Sequence, residues 1–210
     1  MLTMPTMTHV SLIKLIEIMA ILVGALSGFI EARRKRMDLV GVFTVAFITA
    51  FGGGTLRDIL LDKRPLFWVA HQEYAILIFV LALIAAPLIR TLRQIVSERL
   101  IVIADAIGLG LFAIAGVAEA LRAGMPLFIA SMMGVITGIF GGVLRDIVCN
   151  EVPMVLRDGK PYAICAFIGC WLYLLEKHFG MTADVALWTS ATTITVLRLL
   201  TWKFDMRIGQ

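Results

Sequence analysis

Two ten-residue segments hold most of the chemistry in this chain: FGGGTLRDIL at positions 51–60 and FGGVLRDIVC at 140–149. Each sets an Arg–Asp pair, Arg57-Asp58 and Arg145-Asp146, just past consecutive glycines, Gly52-Gly53-Gly54 and Gly141-Gly142. On a helix, Thr49, Gly53 and Arg57 share one face, and so do Thr137, Gly141 and Arg145, because each set is spaced by four. Such a face offers hydroxyl and carbonyl oxygens to a cation. A glycine costs about 1 kcal/mol against alanine inside a helix, so these runs predict a kink or break. A break frees backbone groups that hydrocarbon cannot satisfy, and it persists only where it is buried in protein or lines a water-filled cavity. The competing reading is close helix packing: Gly134, Gly138 and Gly142 form a small-residue ladder, echoed by Ala46, Ala50 and Gly54.

The arginines and acids admit two readings as well. A charge at the bilayer centre costs about 2.5–3.5 kcal/mol on insertion scales, so it pairs, faces water or reaches for the interface. Arg57 and Arg145 fall near the ends of their apolar stretches, which suits interfacial anchoring. As a pair they also suit polar gates, one toward each end of a pathway, with Asp58 and Asp146 beside them. Glu17 and Asp105 are matched acids further upstream, with Glu31 and Glu119 fourteen residues beyond each. Glu17 has Lys14 three residues before it as a local partner. Asp105 has no close basic neighbour in sequence, and pairing across helices with Arg57 or Arg145 is the hypothesis it raises.

The elements that must position these residues are long apolar helices. Of 210 residues, 60% are hydrophobic and 16% charged, with a mean hydropathy of +0.94, whereas soluble domains carry about 25% charge. Apolar stretches at 10–31, 38–61, 73–90, 100–121, 126–149, 162–177 and 183–200 approach or exceed the length of about 20 residues needed to span a bilayer. This predicts an all-α polytopic membrane protein of seven transmembrane helices. Basic clusters at Arg33–Arg36, Arg90–Arg99, Arg157–Lys160 and Lys203–Arg207 fall on one side of that plan. The positive-inside rule then predicts an inner-membrane protein with its N-terminus outside and its C-terminus cytoplasmic. Lys63 and Arg64, facing outward, run against that rule.

The two motifs belong to a longer duplication. An offset of 88 residues, the separation of Arg57 from Arg145, also brings Glu17 onto Asp105, Gly28 onto Gly116, Glu31 onto Glu119, Pro65 onto Pro153 and Tyr74 onto Tyr162. The repeats run over about 9–90 and 97–178 of a single transmembrane domain spanning 1–210, with an extra helix at about 183–200. Three spans per repeat is an odd number, so the second copy is expected to enter the membrane inverted, an architecture frequent in transporters.

Other classes find little support. No HExxH, P-loop or GxSxG appears, and GGGTLRD lacks the strand–turn–helix setting of a dinucleotide site. An enzyme is not expected. The net charge of +4 is loop-borne, with no basic face interleaved with aromatics for nucleic acid. Cys149, Cys165 and Cys170 have neither metal-ligand nor disulfide-framework spacing. His9, His71 and His178 fall at predicted ends or loops. The N-terminal residues lack a signal-peptide pattern.

The doubled GG(G/V)xLRD segments, each followed seven residues after its Asp by a proline, on a three-plus-three-plus-one helix plan, resemble the prokaryotic trimeric intracellular cation (TRIC) channel family. Similar bacterial sequences are labelled as a glycine-transporter domain. The resemblance implies a homotrimer in which each protomer holds a potassium-permeable pore between inverted halves. It further implies that Gly52, Gly53, Gly54, Gly141 and Gly142 kink the pore-lining second and fifth helices, with Arg57, Asp58, Arg145 and Asp146 just beyond. Val143 in place of Thr55, and Glu151 in place of Lys63, make the copies unequal. No cofactor is expected, with potassium or sodium as permeant ion and membrane lipid as a bound partner. A secondary transporter of glycine or another small solute is the alternative, since helix N-termini at glycine breaks would hold a carboxylate. A structural or lipid-binding membrane protein is the third reading.

Overall fold

The computed structural model describes residues 7–91, 98–157, 159 and 161–207, with side chains left undescribed at 7–14, 86–91 and 98. These residues form eight helices: α1 (Met7–Arg34), α2 (Leu39–Leu60), α3 (Phe67–Ala70), α4 (Gln72–Thr91), α5 (Glu98–Arg122), α6 (Leu127–Val148), α7 (Tyr162–His178) and α8 (Ala183–Lys203). Seven coincide with the expected apolar stretches, displaced by three residues or fewer at each end. The eighth element, α3, is a four-residue turn that the apolar-run reading passed over, because so short a helix has no periodicity to detect. By length and composition, Leu15–Arg34, Leu39–Leu60, Arg99–Arg122 and Leu127–Val148 suffice to cross a bilayer.

The helices start and stop for local reasons, and the two copies do so alike. Asp38 caps α2, its Oδ1 accepting from Gly41 N–H at 2.9 Å, while Pro126 precedes α6, where a fixed φ suits a helix start. Left-handed residues follow both inner helices, Asp62 at φ 51° and Asn150 at φ 56°, as they follow α1 and α5 at Arg36 (φ 57°) and Gly124 (φ 76°). Asp and Asn tolerate that region because their short polar side chains bond locally. Two large apolar cores result, beside a small cluster of Ala120, Ala130 and Met133. One joins Ala25 and Phe29 of α1 to Val45 and Ala46 of α2 and Ile78 of α4. The other joins Ile114 and Val117 of α5 to Ala166 and Cys170 of α7 and Leu187 and Ile194 of α8. Large apolar side chains such as Phe79, Ile84, Phe128 and Ile168 point outward. In water that surface would be a liability; facing hydrocarbon it is the expected exterior of an all-helical membrane protein.

Candidate functional site

Of the expected kink or break, a break does not occur: α2 and α6 stay helical through their glycines. Instead the glycines are where helices touch. A Cβ on Gly53 would sit 2.0 Å from the Thr137 carbonyl oxygen, and one on Gly141 would sit 2.4 Å from the Thr49 carbonyl oxygen. Later residues of α2 thus meet earlier residues of α6, so the two helices cross antiparallel. The 88-residue offset exchanges the two contacts, which makes the crossing two-fold in pattern. Successive glycines serve successive neighbours, since each residue turns about 100° round the helix. Gly141 admits α2, whereas Gly142 admits the carboxylate of Asp105 on α5, 3.3 Å from where its Cβ would be. Gly134 and Gly138 also lie against α5, at Ala113 and Leu109, as the small-residue ladder predicts.

Thr49 and Thr137 sit at this crossing, both buried. Each hydroxyl donates to the carbonyl four residues back, Thr49 to Val45 and Thr137 to Met133, both at 2.6 Å. Their protons are therefore committed to their own helices, and their carbonyls lie against the facing glycines.

One turn beyond the crossing on each helix stands a buried arginine. Arg57 donates through Nε and Nη2 to Asp58 Oδ1 (2.9 and 2.8 Å) and through Nη1 to Glu17 Oε1 on α1 (3.1 Å). Asp58 Oδ2 accepts the Phe67 N–H at 2.8 Å, which ties the connection after α2 to the start of α3. The second copy repeats this core. Arg145 Nε and Nη2 reach Asp146 Oδ1, each at 2.8 Å; Nη1 reaches Asp105 Oδ1 on α5 at 3.0 Å. Asp146 Oδ2 accepts the Met154 N–H at 2.9 Å. Such forked, charge-assisted bonds are the strong kind, and here they supply the compensation that buried charges require. Each cluster formally joins one cation to two carboxylates and so carries net −1.

The second cluster has additional partners. Arg145 Nη1 also donates to Ser27 Oγ at 2.5 Å, and Tyr162 Oη donates to Asp105 Oδ2 at 2.6 Å. In the first copy Tyr74 stacks on Phe67 instead, centroids 5.7 Å apart. The clusters open into different spaces. A small cavity of about 20 Å³ beside Arg57 and Glu17 is walled by Phe51, Phe67, Trp68 and Phe112. One of about 60 Å³ beside Arg145 and Asp146 is lined by Glu31, Arg34, Glu151 and Arg157. They share no lining residue.

Ion pairs tie the loops at either end. Glu119 bonds Lys63 (2.5 Å) and Arg122 (3.1 Å). At the other end the equivalents of Glu119 and Lys63 are both acidic, Glu31 and Glu151. Arg34 takes Glu31 at 3.2 Å and Lys35 takes Glu151. The Lys35 ammonium holds Glu151 below the ordinary carboxylate range, and the carboxylate in turn raises Lys35.

This arrangement matches solved structures over nearly its whole length. A TRIC trimeric intracellular cation channel orthologue from Rhodobacter sphaeroides superposes with a TM-score of 0.85 at 30% identity, covering 93% of this chain and all of that one. A second structure, concerned with conductance through TRIC cation channels, gives 0.81 at 35% identity over 94% of this chain and 96% of that one. The chain belongs to the prokaryotic TRIC channel family. The family model described as glycine transporter matches this TRIC-family chain twice, over residues 14–90 and 102–178. The UPF0126 membrane protein of Vibrio cholerae is 36% identical over 92% of this chain and 80% of its own length. The UPF0126 inner membrane protein YadS of Escherichia coli is 34% identical over 92% and 93%.

For this TRIC-family chain, the residues singled out by sequence divide into two groups. Arg57, Asp58 and Glu17 form one cluster; Arg145, Asp146 and Asp105 form the other. Gly52, Gly53 and Gly141 pack α2 on α6, with Leu144 above Gly52, while Gly54 faces the aromatic cavity. Asp105 meets Arg145 rather than Arg57. Glu17 pairs with Arg57, and the Lys14 side chain lies outside the described residues. His71 sits between α3 and α4 beside Glu73 at 3.0 Å, and His9 lies outside the described side chains. Sequence reasoning passed over Tyr162 and Ser27. Tyr162 was reachable, since it aligns with Tyr74 in the repeat. Ser27 has no such signal, because its counterpart is Ala115.

Proposed function

We propose that this chain is a monovalent-cation channel, permeable to potassium, whose pathway runs within each protomer along the α2–α6 crossing between two inverted three-helix halves. The observation that carries this reading is the pair of buried clusters, Arg57 with Asp58 and Glu17, and Arg145 with Asp146 and Asp105. One stands at each end of the crossing, and each has a formal negative surplus beside its own cavity. A negative surplus attracts cations and disfavours anions, while the guanidinium keeps the site from binding any cation too tightly to release. The antiparallel, two-fold pattern of the glycine contacts supports the inverted relation of the halves. The similarity to TRIC cation channels supports ion conduction and assembly as a homotrimer in the inner membrane. The loop charges support an external N-terminus and a cytoplasmic C-terminus, which places the Arg145 cluster at the cytoplasmic end. With Thr137 against Gly53 and Thr49 against Gly141, the crossing is tight, and conduction requires those helices to part or the ion to pass beside them.

Planar-bilayer recording of the purified protein under a potassium gradient tests this. The expected result is unitary current reversing near the potassium potential and abolished by the double substitution Gly53→Leu, Gly141→Leu. A second reading, secondary transport of glycine, is favoured by the Glu17–Arg57 pair on one cavity, which offers partners for an ammonium and a carboxylate together. Silent bilayers alongside saturable glycine uptake into proteoliposomes would establish that reading and overturn the first.

A further inference from the structure

Arg198 lies on α8, the helix outside the duplication, and is 2% exposed. Among the described residues its Nε and Nη1 meet no hydrogen-bond partner. A buried guanidinium with two of its three nitrogens lacking acceptors is a costly arrangement, and packing alone does not require one. Its Cζ stands 4.4 Å from the centroid of the Tyr162 ring, within the range of a cation–π contact. That phenol donates to Asp105 Oδ2 at 2.6 Å, and Asp105 Oδ1 accepts from Arg145 at 3.0 Å. An unbroken line therefore runs from the unduplicated helix to the second cluster: Arg198, Tyr162, Asp105, Arg145. The first copy has no such line, since Tyr74 stacks on Phe67.

We propose that Arg198 is a positioning residue for ion passage: by sitting on the Tyr162 ring it holds the phenol on Asp105 and so keeps Arg145 in its closed cluster. A cation over the ring face draws electron density from the phenol oxygen and strengthens its O–H as a donor to the carboxylate. Asp105, held on one oxygen by Tyr162, presents the other to Arg145. Without Arg198 the phenol is free to leave Asp105, and the acid–arginine pair loosens with it. The proposal rests on the channel reading above, and its test separates the two.

Single-channel recording and thermal unfolding are run together on wild type, Arg198→Met, Arg198→Lys, Tyr162→Phe and the double variant Arg198→Met/Tyr162→Phe. Arg198→Met is expected to raise open probability about five-fold, the size a lost cation–π contact supports. Arg198→Lys, which keeps a cation over the ring, stays within about two-fold of wild type. In the Tyr162→Phe background, Arg198→Met adds nothing further, because the arginine acts through the phenol. The melting temperature of Arg198→Met falls no further than that of Tyr162→Phe, since the arginine acts through the phenol; a residue that braced the fold independently would lower it further, and further still in the double variant. Unchanged gating in Arg198→Met, an effect undiminished without the Tyr162 hydroxyl, or a variant that fails to assemble would each overturn the proposal. A wild type that conducts nothing removes the channel reading alone. The positioning claim is then read from maleimide labelling of Cys165, buried at 3% exposure one turn beyond Tyr162 and mapped by mass spectrometry. Faster labelling in Arg198→Met, but not in the double variant relative to Tyr162→Phe, upholds it; equal rates overturn it.

Discussion

The Arg57 and Arg145 clusters share a blueprint and differ in closure. In both, an arginine turns back onto the aspartate beside it and reaches across to an acid on a neighbouring helix. In both, that aspartate also accepts a backbone N–H from the following connection. The Arg57 cluster stops there: its distant acid, Glu17, keeps 13% side-chain exposure and faces an aromatic cavity. The Arg145 cluster is sealed by Ser27 and Tyr162, its distant acid Asp105 has 5% side-chain exposure, and Arg198 stands behind the tyrosine. A duplicated motif thus supplies the ionic core twice, while residues elsewhere decide how tightly each copy is closed.

The sharpest way to break the comparison is to remove each arginine. Arg145→Gln strands Asp105, whose side chain is only 5% exposed, and losing one side of a buried ion pair costs about 3–5 kcal/mol. Arg57→Gln also strands Asp58, which is wholly buried, but leaves Glu17 access to its cavity, for an expected loss at the low end of that range, about 3 kcal/mol. Thermal unfolding of the two variants in the same detergent checks the order; equal losses would mean the clusters are equally closed.

The tyrosines come next. Tyr162→Phe deprives Asp105 Oδ2 of its donor and should cost about 1–3 kcal/mol. Tyr74→Phe should fall within about 0.5 kcal/mol of wild type, because the Tyr74 ring stacks while its hydroxyl makes no hydrogen bond among the described residues. Melting temperatures measured side by side decide this.

Equivalent glycines sharpen the contrast further. A Cβ at Gly142 would press to 3.3 Å on Asp105 Oδ1, whereas one at Gly54 would meet only Arg57 Nη2 at 3.9 Å. Gly54→Ala should therefore gain up to about 1 kcal/mol from helix propensity, and Gly142→Ala should gain nothing or lose about as much. A higher melting temperature for Gly142→Ala than for Gly54→Ala would contradict the closer packing of the second cluster.

The smallest effect is at the loop tether of the same end. Glu151 is held below its ordinary value of 4.5 by Lys35, so its contribution is present above that value and fades as acid carries the pH down through the lowered one. Lys35 is raised above 10.5, so its share is present below that value and is lost as alkali passes the raised one. Melting curves of wild type and Glu151→Gln should differ slightly at neutral pH and converge at both extremes. A difference that persists in strong acid would show that the pair is not its source.

Much of this was legible because hydrophobic run length and repeat register are local properties of a chain. Helix positions, the duplication and the Arg–Asp pairs all followed from them. The glycine runs carried two readings, a kink or break and a close helix contact, and the sequence did not choose between them. Consecutive glycines carry the same propensity cost in either case, and only the position of α6 and α5 around Gly53, Gly141 and Gly142 shows that each opens room for a different neighbour. Ser27 and Arg198 were illegible for a related reason. Neither has a matching residue in the other copy, so register, the strongest signal in this chain, is silent about them.

By itself the sequence determined that this chain fills a membrane with helices, that its halves are copies, and that each copy carries an arginine beside an aspartate at the end of a glycine-bearing helix. These follow from the need to bury backbone polar groups in hydrocarbon and from the internal alignment. Tertiary structure alone decided which acid meets which arginine, that Tyr162 and not Tyr74 closes its cluster, and that α8 brings a third buried arginine to one end. Those choices depend on distances of a few ångströms between residues 40 or more positions apart, set by how whole helices cross rather than by any local pattern.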